Sequence, residues 1–321
     1  MKAWDKLASK IRGGGQAMQW TILTSAPKGQ AGEQWGDTFF ARDLAAALRR
    51  SGQRARVASR AGVVSPRRDE DDVVLVLRGL RAVQPPPERS ATWILWVISH
   101  PELVTEEELN SYDAVFVASE HWQAPQGVQV TPLLQATDPA RFGAGFSSTD
   151  SVEVLFVGST RGQFRPAVRG ALRSNRAGDL RVYGVGWEEF IDSTDSTVLG
   201  GEFLPNEDLP GAYANASIVL NDHHREMADD GFLSNRLFDA VASGARVLSD
   251  RARGIEDVFG DCVVVFDDEE HLAQLLSQPI DEVFPSHEVR RQSARRIARD
   301  HSFDARAQVL IDRATQLRRA A

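Results

Sequence analysis

Residues 152–165 read Val152-Glu153-Val154-Leu155-Phe156-Val157-Gly158-Ser159-Thr160-Arg161-Gly162-Gln163-Phe164-Arg165. A short apolar run stops at a glycine, crosses a polar loop and enters a helical pattern, which is how a buried parallel strand hands over to a crossover helix. The same alternation continues downstream, with strands expected over 152–157, 180–183, 217–221, 246–248 and 262–266. Helices are expected over 165–174, 206–215, 234–243, 255–259 and 269–276. Upstream it recurs, with strands over 18–25, 55–58, 73–77, 92–98, 114–118 and 128–130 and a helix over 37–51 that Gly52 ends. The class is therefore α/β, with two Rossmann-like halves.

A chain of 321 residues is about twice the commonest length of a single core, which agrees with two domains. We divide it into an N-terminal domain over 1–135, a linker over 136–150 and a second domain over 151–300. The tail over 301–321 is an expected helix that could cross back to the first domain, within a stretch helical from 288 onward. With 42% hydrophobic and 26% charged residues the composition is globular. A net charge of -8 leaves little basic surface for nucleic acid, so no nucleic-acid partner is expected. The single cysteine, Cys262, lies in an apolar run and forbids an intrachain disulfide, which points to a cytoplasmic protein. Near the start, Trp4, Leu7, Ala8 and Ile11 form one stripe, with Lys2, Lys6, Lys10 and Arg12 off it. Two readings stay open for this stripe: peripheral contact with the inner face of an anionic membrane, or a leading helix released by the glycines at 13–15.

Ligands of open parallel sheets bind beyond the carboxyl ends of the strands, so the loops after the apolar runs are the candidates. After 154–157, Gly158, Ser159, Arg161 and Arg165 offer backbone N–H groups and two cations to a diphosphate. The Gly184-Val185-Gly186-Trp187 turn lacks a dinucleotide fingerprint, and Trp187 is either a nucleoside contact or packing. The densest loop runs from Asn221 to Asp239. There Ser234 can cap a helix whose first turn, with Asn235 and Arg236, would receive an anion, and Asp239 could accept from ribose hydroxyls or simply pair with Arg236. His223, Glu226 and, at the end of another strand, His100 are candidate catalytic groups; a structural histidine is the alternative for His100. Adjacent histidines without spaced partners argue against a metal site.

The order of these motifs resembles the GT-B glycosyltransferases, in the branch related to the spore-maturation CgeB-like proteins. Gly36-Asp37, Ser99-His100-Pro101, the linker Ala136-Thr137-Asp138-Pro139, Phe156-Val157-Gly158-Ser159 and Tyr183-Gly184 carry the resemblance loosely. Asn221-Asp222-His223 followed by Gly231-Phe232, Ser234-Asn235-Arg236, Phe238-Asp239 and Gly244 carry it more specifically. The resemblance implies a nucleoside-diphosphate sugar donor held by the second domain. A glycan, lipid-linked or small-molecule acceptor would be held by the first, and no cofactor or essential metal is implied. It places Arg236 and Gly158 at the diphosphate and Asp239 at the ribose; Leu204 and Trp187 are candidates on the nucleoside side and Gly36 and Asp37 on the acceptor side, Asp37 reading first as an N-cap or first-turn residue and second as a sugar or acceptor contact. The related retaining enzymes carry a Glu eight residues before the ribose acid, and this chain has Gly231 there. A non-catalytic sugar-nucleotide-binding subunit and a nucleotide-sugar epimerase are the alternative functions.

Overall fold

The computed structural model describes residues 17–125, 127–143, 151, 153–192 and 198–320. The expected amphipathic stripe at 4–11 and the Gly/Ser-rich part of the linker, 144–150, lie outside these residues.

Two six-stranded, wholly parallel sheets make up the molecule. The first contains β1 (Gln19–Thr24), β2 (Arg54–Ala58), β3 (Val73–Arg78), β4 (Thr92–Val97), β5 (Ala114–Val117) and β6 (Thr131–Pro132), in the order β2-β1-β3-β4-β5-β6. The second contains β7 (Val154–Val157), β8 (Leu180–Tyr183), β9 (Leu199–Gly201), β10 (Ile218–Asn221), β11 (Val247–Asp250) and β12 (Val263–Phe266), in the order β12-β11-β10-β7-β8-β9. β3 and β4 are buried almost throughout, as strands covered by helices on both faces must be. Strand order reverses between β1 and β3 in the first sheet and between β7 and β10 in the second, which opens a crevice beyond the strand ends at each place.

The helix Gly36–Arg50 shows how sequence sets the first half. Its buried side chains Phe40, Ala41, Leu44, Ala45, Ala47 and Leu48 recur at helical spacing, Asp37 lies in its first turn and Arg49 and Arg50 in its last. Gly52, at φ +82°, then supplies the left-handed turn that ends it.

One expected strand shifts and one strand is new. The strand placed over 128–130 is β6, three residues later, where a two-residue edge strand tolerates Pro132. β9 was not foreseen because it is mostly glycine. Tyr183 packs over Gly200 so closely that an added Cβ would lie 2.4 Å from the ring. The tail is helical as expected, in two helices, His287–Asp300 and Phe303–Ala320, broken at His301 and Ser302, the second matching the helix expected over 301–321.

The break is a crossing point. Thr137 pairs in parallel with Ser302, its N–H donating to His301 O at 2.9 Å and its carbonyl accepting from Phe303 N at 3.0 Å. Beyond it the last helix packs into the core of the first half. Phe303, Ala307, Leu310 and Ala314 are buried there beside Phe40 and Leu44, and the Phe40 and Phe303 rings meet edge-on at 4.7 Å. Arg306 fastens the crossing by donating to Leu134 O (2.7 Å) and Gln135 O (3.2 Å).

Candidate functional site

A hollow of about 200 Å³ lies where the two halves meet, with the β7 and β10 exits on one wall and Asp37, Ile98, Ser99 and Gln135 on the other. A larger one, about 730 Å³ between β5, β6 and the last helix, has no comparable gathering of charged groups.

On the second-half wall three guanidinium groups converge. Arg236, in the first turn of the helix Asn235–Ala242, donates from Nη1 to Asn221 Oδ1 at 2.7 Å and from Nη2 to Val157 O. It lies 5.0 Å from the Phe156 ring centre, with Arg165 over the same ring at 5.7 Å. Gly158 makes this possible, since an added Cβ would come within 2.9 Å of Arg236 Nη2. Burial holds the Arg236 guanidinium below its usual pKa, as the interior disfavours the charge. Arg165 is occupied differently. It pairs with the buried carboxylate of Asp222 and donates to Ser159 O at 3.2 Å, while Asp222 also accepts from Ala167 N. Its charge is therefore largely neutralised, and its first role is to join the loops after β7 and β10.

Arg161 is the least encumbered of the three. It sits at the exposed loop tip in the left-handed region (φ +52°), a conformation uncommon for a side-chain-bearing residue, and donates to His224 Nε2 at 3.1 Å. His224 follows: burial first, then Arg161, Arg165 and His100, lower its pKa to about 4, so it is a neutral acceptor near pH 7. His224 was not singled out from the sequence. The cue was present, since it lies three residues beyond the end of β10 in the loop that carries the site.

Several sequence candidates take other roles. His223 is sealed from solvent; Nδ1 bonds Asp250 Oδ1 at 2.6 Å and Nε2 accepts from Ser234 N at 3.0 Å. With both nitrogens occupied it positions the helix start rather than moving protons, which corrects its catalytic assignment. Glu226 is exposed on the helix Arg225–Asp229, while Met227 of that helix faces the cleft. Trp187 is packing: fully buried, it meets Phe156 edge-on at 5.6 Å and donates from Nε1 to Gly158 O at 2.9 Å. Ser234 precedes the helix and lines the cleft but makes no side-chain cap. Ser159 lines it too, with Oγ accepting from Val185 N at 3.3 Å.

Asp239 does not reach the cleft wall beside Arg236. Its carboxylate is buried, accepts from Asn235 Nδ2 at 2.8 Å, and stands near Thr137, Asp43, Arg141 and Asp138. Burial raises its pKa well above the usual 3.8. Leu204 is half-buried in the loop after β9. Its neighbours Phe203, Pro205 and Asn206 edge a separate hollow of about 410 Å³ that Phe39 and Asp43 close from the first half.

On the first-half wall His100 is left-handed (φ +54°) just before Pro101, with Nδ1 3.1 Å from Glu102 Oε1 and its ring 6.3 Å from that of His224. Gly36 is exposed at the first position of its helix, and Asp37 beside it turns into the cleft. Among the described residues, no three His, Cys, Asp or Glu side chains are grouped to hold a metal ion. None of the described helices is long and apolar enough to cross a membrane.

Comparison with known proteins bears on the fold. Residues 163–312 match the protein-family model described as "Glycosyl transferase-like". Among solved structures, AviGT4, a glycosyltransferase involved in avilamycin A biosynthesis, superposes with a TM-score of 0.60 at 16% identity, covering 95% of this chain and 99% of its own. Anabaena HepE in complex with UDP gives 0.61 at 11% identity (93% and 100%), and T4 phage BGT in complex with UDP-glucose gives 0.57 at 13% (92% and 99%). No curated protein sequence matches significantly. The fold is that of the GT-B glycosyltransferases, and the resemblance drawn from the sequence is borne out.

Proposed function

We propose that this chain is a metal-independent glycosyltransferase. It takes a hexosyl or deoxyhexosyl group from a nucleoside-diphosphate sugar and passes it to a glycan, lipid-linked or small-molecule acceptor. The observation that carries the reading is the convergence of Arg161, Arg165 and Arg236 at the β7/β10 crevice, where only Arg165 is paired with a carboxylate, that of Asp222. Such an excess of positive charge in a desolvated cleft suits a diphosphate, both bound and as a leaving group gathering negative charge. The N–H groups at the start of the helix Asn235–Ala242 add to it. The nucleoside end is proposed to run past Asn235 and Asp239 toward Leu204 and the hollow beside Phe203, and the acceptor to enter between Asp37 and Ser99.

Calorimetric titration with UDP and other nucleoside diphosphates in excess EDTA, paired with release of free nucleoside diphosphate from sugar nucleotides, tests the proposal. Binding and release that persist in chelator are expected. Binding restored only by a divalent ion would refute metal independence, and an isomerised sugar nucleotide as the sole product would refute transfer.

A further inference from the structure

The cleft lies beyond the carboxyl ends of the second sheet. At the opposite, amino ends stands a group of arginines that takes no part in it. Arg246 directly precedes β11, and the pairing of Val247 with Val219 on one side and Val263 on the other sets it between the starts of β10 and β12. Its Nη1 donates to Ser217 O at 3.5 Å, a long contact, and Arg176 Nη2 donates to Ser217 Oγ at 3.3 Å. Arg290 arrives from the helix His287–Asp300, where the carbonyl of its neighbour Val289 accepts from Cys262 Sγ at 4.0 Å, immediately before β12. Arg246 and Arg290 thus approach the start of β12 from two sides.

Arg290 is unusually placed. The residue is 7% exposed, and its Nε is sealed from water with no hydrogen-bond partner. Among the described residues nothing accepts a hydrogen bond from its guanidinium and no carboxylate pairs with it, so the two terminal nitrogens are the part that solvent reaches. Charges set this deeply are as a rule paired, because the interior penalises an unaccompanied ion. Asp281, on the helix Ile280–Val283, is the acid that acts on both Arg246 and Arg290, yet it forms no ion pair with either, and Asp179 is taken by Arg176 at 3.1 Å. Burial first, and Arg246 second, hold the Arg290 pKa down to about 10, which still leaves two cations side by side at neutral pH.

We infer that Arg290 and Arg246 form a second anion site, which takes a phosphate-type oxyanion, either inorganic phosphate or the end of a phosphate monoester. A guanidinium fork matches two oxygens of a tetrahedral anion, and Arg290 presents its terminal nitrogens while its stem is fixed by packing. A dianion there supplies the counter-charge that Asp281 and Asp179 do not. The site is independent of the transferase reading, since it lies at the other end of β10 and β11 from the diphosphate crevice.

The test uses the full chain at fixed ionic strength, so that screening is the same throughout. Thermal melts and calorimetric titrations are run with inorganic phosphate, with glycerol phosphate as the monoester and with chloride as the reference, each with and without UDP to fill the cleft. Phosphate at about fivefold its dissociation constant should raise the wild-type melting temperature, saturably, by about 2–4 °C with UDP present. In Arg290→Met the rise should vanish and phosphate affinity should fall by about tenfold or more, the loss expected when charge-assisted hydrogen bonds go. In chloride that variant should melt no lower than wild type, because an uncompensated charge has been removed. Arg246→Met should lose the same rise and gives an independent reading. Asp281→Asn should bind phosphate more tightly, a like charge having gone. The stronger binder of the two phosphates identifies the source. Absence of a saturable shift with either phosphate in wild type, phosphate affinity in Arg290→Met within about twofold of wild type, or weaker phosphate binding in Asp281→Asn overturns the inference. UDP affinity should be equal in wild type and Arg290→Met, so a failure of UDP to bind bears on the transferase reading alone.

Discussion

Arg161 offers the cleanest measurement of the proposed diphosphate site, because binding and stability separate there. Its side chain donates a hydrogen bond to His224 at 3.1 Å, and the residue is exposed on its loop, so Arg161→Ala should change folding stability by no more than about 0.5 kcal/mol. A charge-assisted hydrogen bond contributes about 1.5–3 kcal/mol. Exchanging the existing contact with His224 returns part of this, so the lower half of the range applies and nucleoside diphosphate affinity should fall by roughly tenfold to thirtyfold. Calorimetric titration of UDP at fixed ionic strength, with thermal melts alongside, reads both quantities. A second signature accompanies the first. Arg161 is among the cations that hold His224 at a pKa of about 4, so His224 should titrate at higher pH in the variant, visible in its imidazole NMR signals. Arg236→Ala makes the contrast, since it leaves Asn221 Oδ1 and Val157 O without their donor and should lower stability as well as affinity. UDP affinity within about twofold of wild type in a folded Arg161→Ala protein would refute the placement of the donor diphosphate.

Two further outcomes concern the buried charges. Asp222→Ala strands the Arg165 guanidinium, whose side chain is only 9% exposed, and should cost about 3–5 kcal/mol in urea denaturation; a loss under about 1 kcal/mol would mean water already reaches the pair. Asp239, its folded pKa raised above 3.8, holds its proton at pH values where the unfolded chain has released it, so its contribution to stability falls as pH rises through that window. Asp239→Asn should therefore raise the melting temperature near neutral pH and lose that advantage at about pH 4; equal shifts at both pH values would count against a buried neutral carboxyl.

The parallel sheets were legible because buried strands announce themselves as uniform apolar runs, and 180–183 matches β8 residue for residue. Loop candidates followed from strand exits, which brought Gly158, Arg161 and Arg236 onto one wall. Their partners were not legible. Asp250 lies 27 residues from His223 and Asp222 lies 57 from Arg165, so whether a polar residue serves ligand or scaffold depended on contacts that local pattern does not encode. Asp239 shows the same limit: helical spacing set it one turn from Arg236, but only the packing of linker and Asn235 around it decided that it would be enclosed. The break in the tail did leave a mark. Ser302 accepts from Ala305 N at 3.2 Å and Asp304 follows in the first turn, an N-terminal helix signature inside what otherwise reads as continuous helix.

The crossing at Thr137 and Ser302 also bears on how the polypeptide is made. Residues 303–314 complete the core of the first half, so as the chain leaves the ribosome its first 135 residues present Phe40, Leu44 and Leu48 with that wall still untranslated. The second half, whose strands and helices are contiguous in sequence from β7 to the helix Glu269–Ser277, has most of its own packing partners at hand before residues 303–314 are made. Maturation then runs against the usual vectorial order, the later-made half closing first and the earlier-made half waiting for the last helix to return.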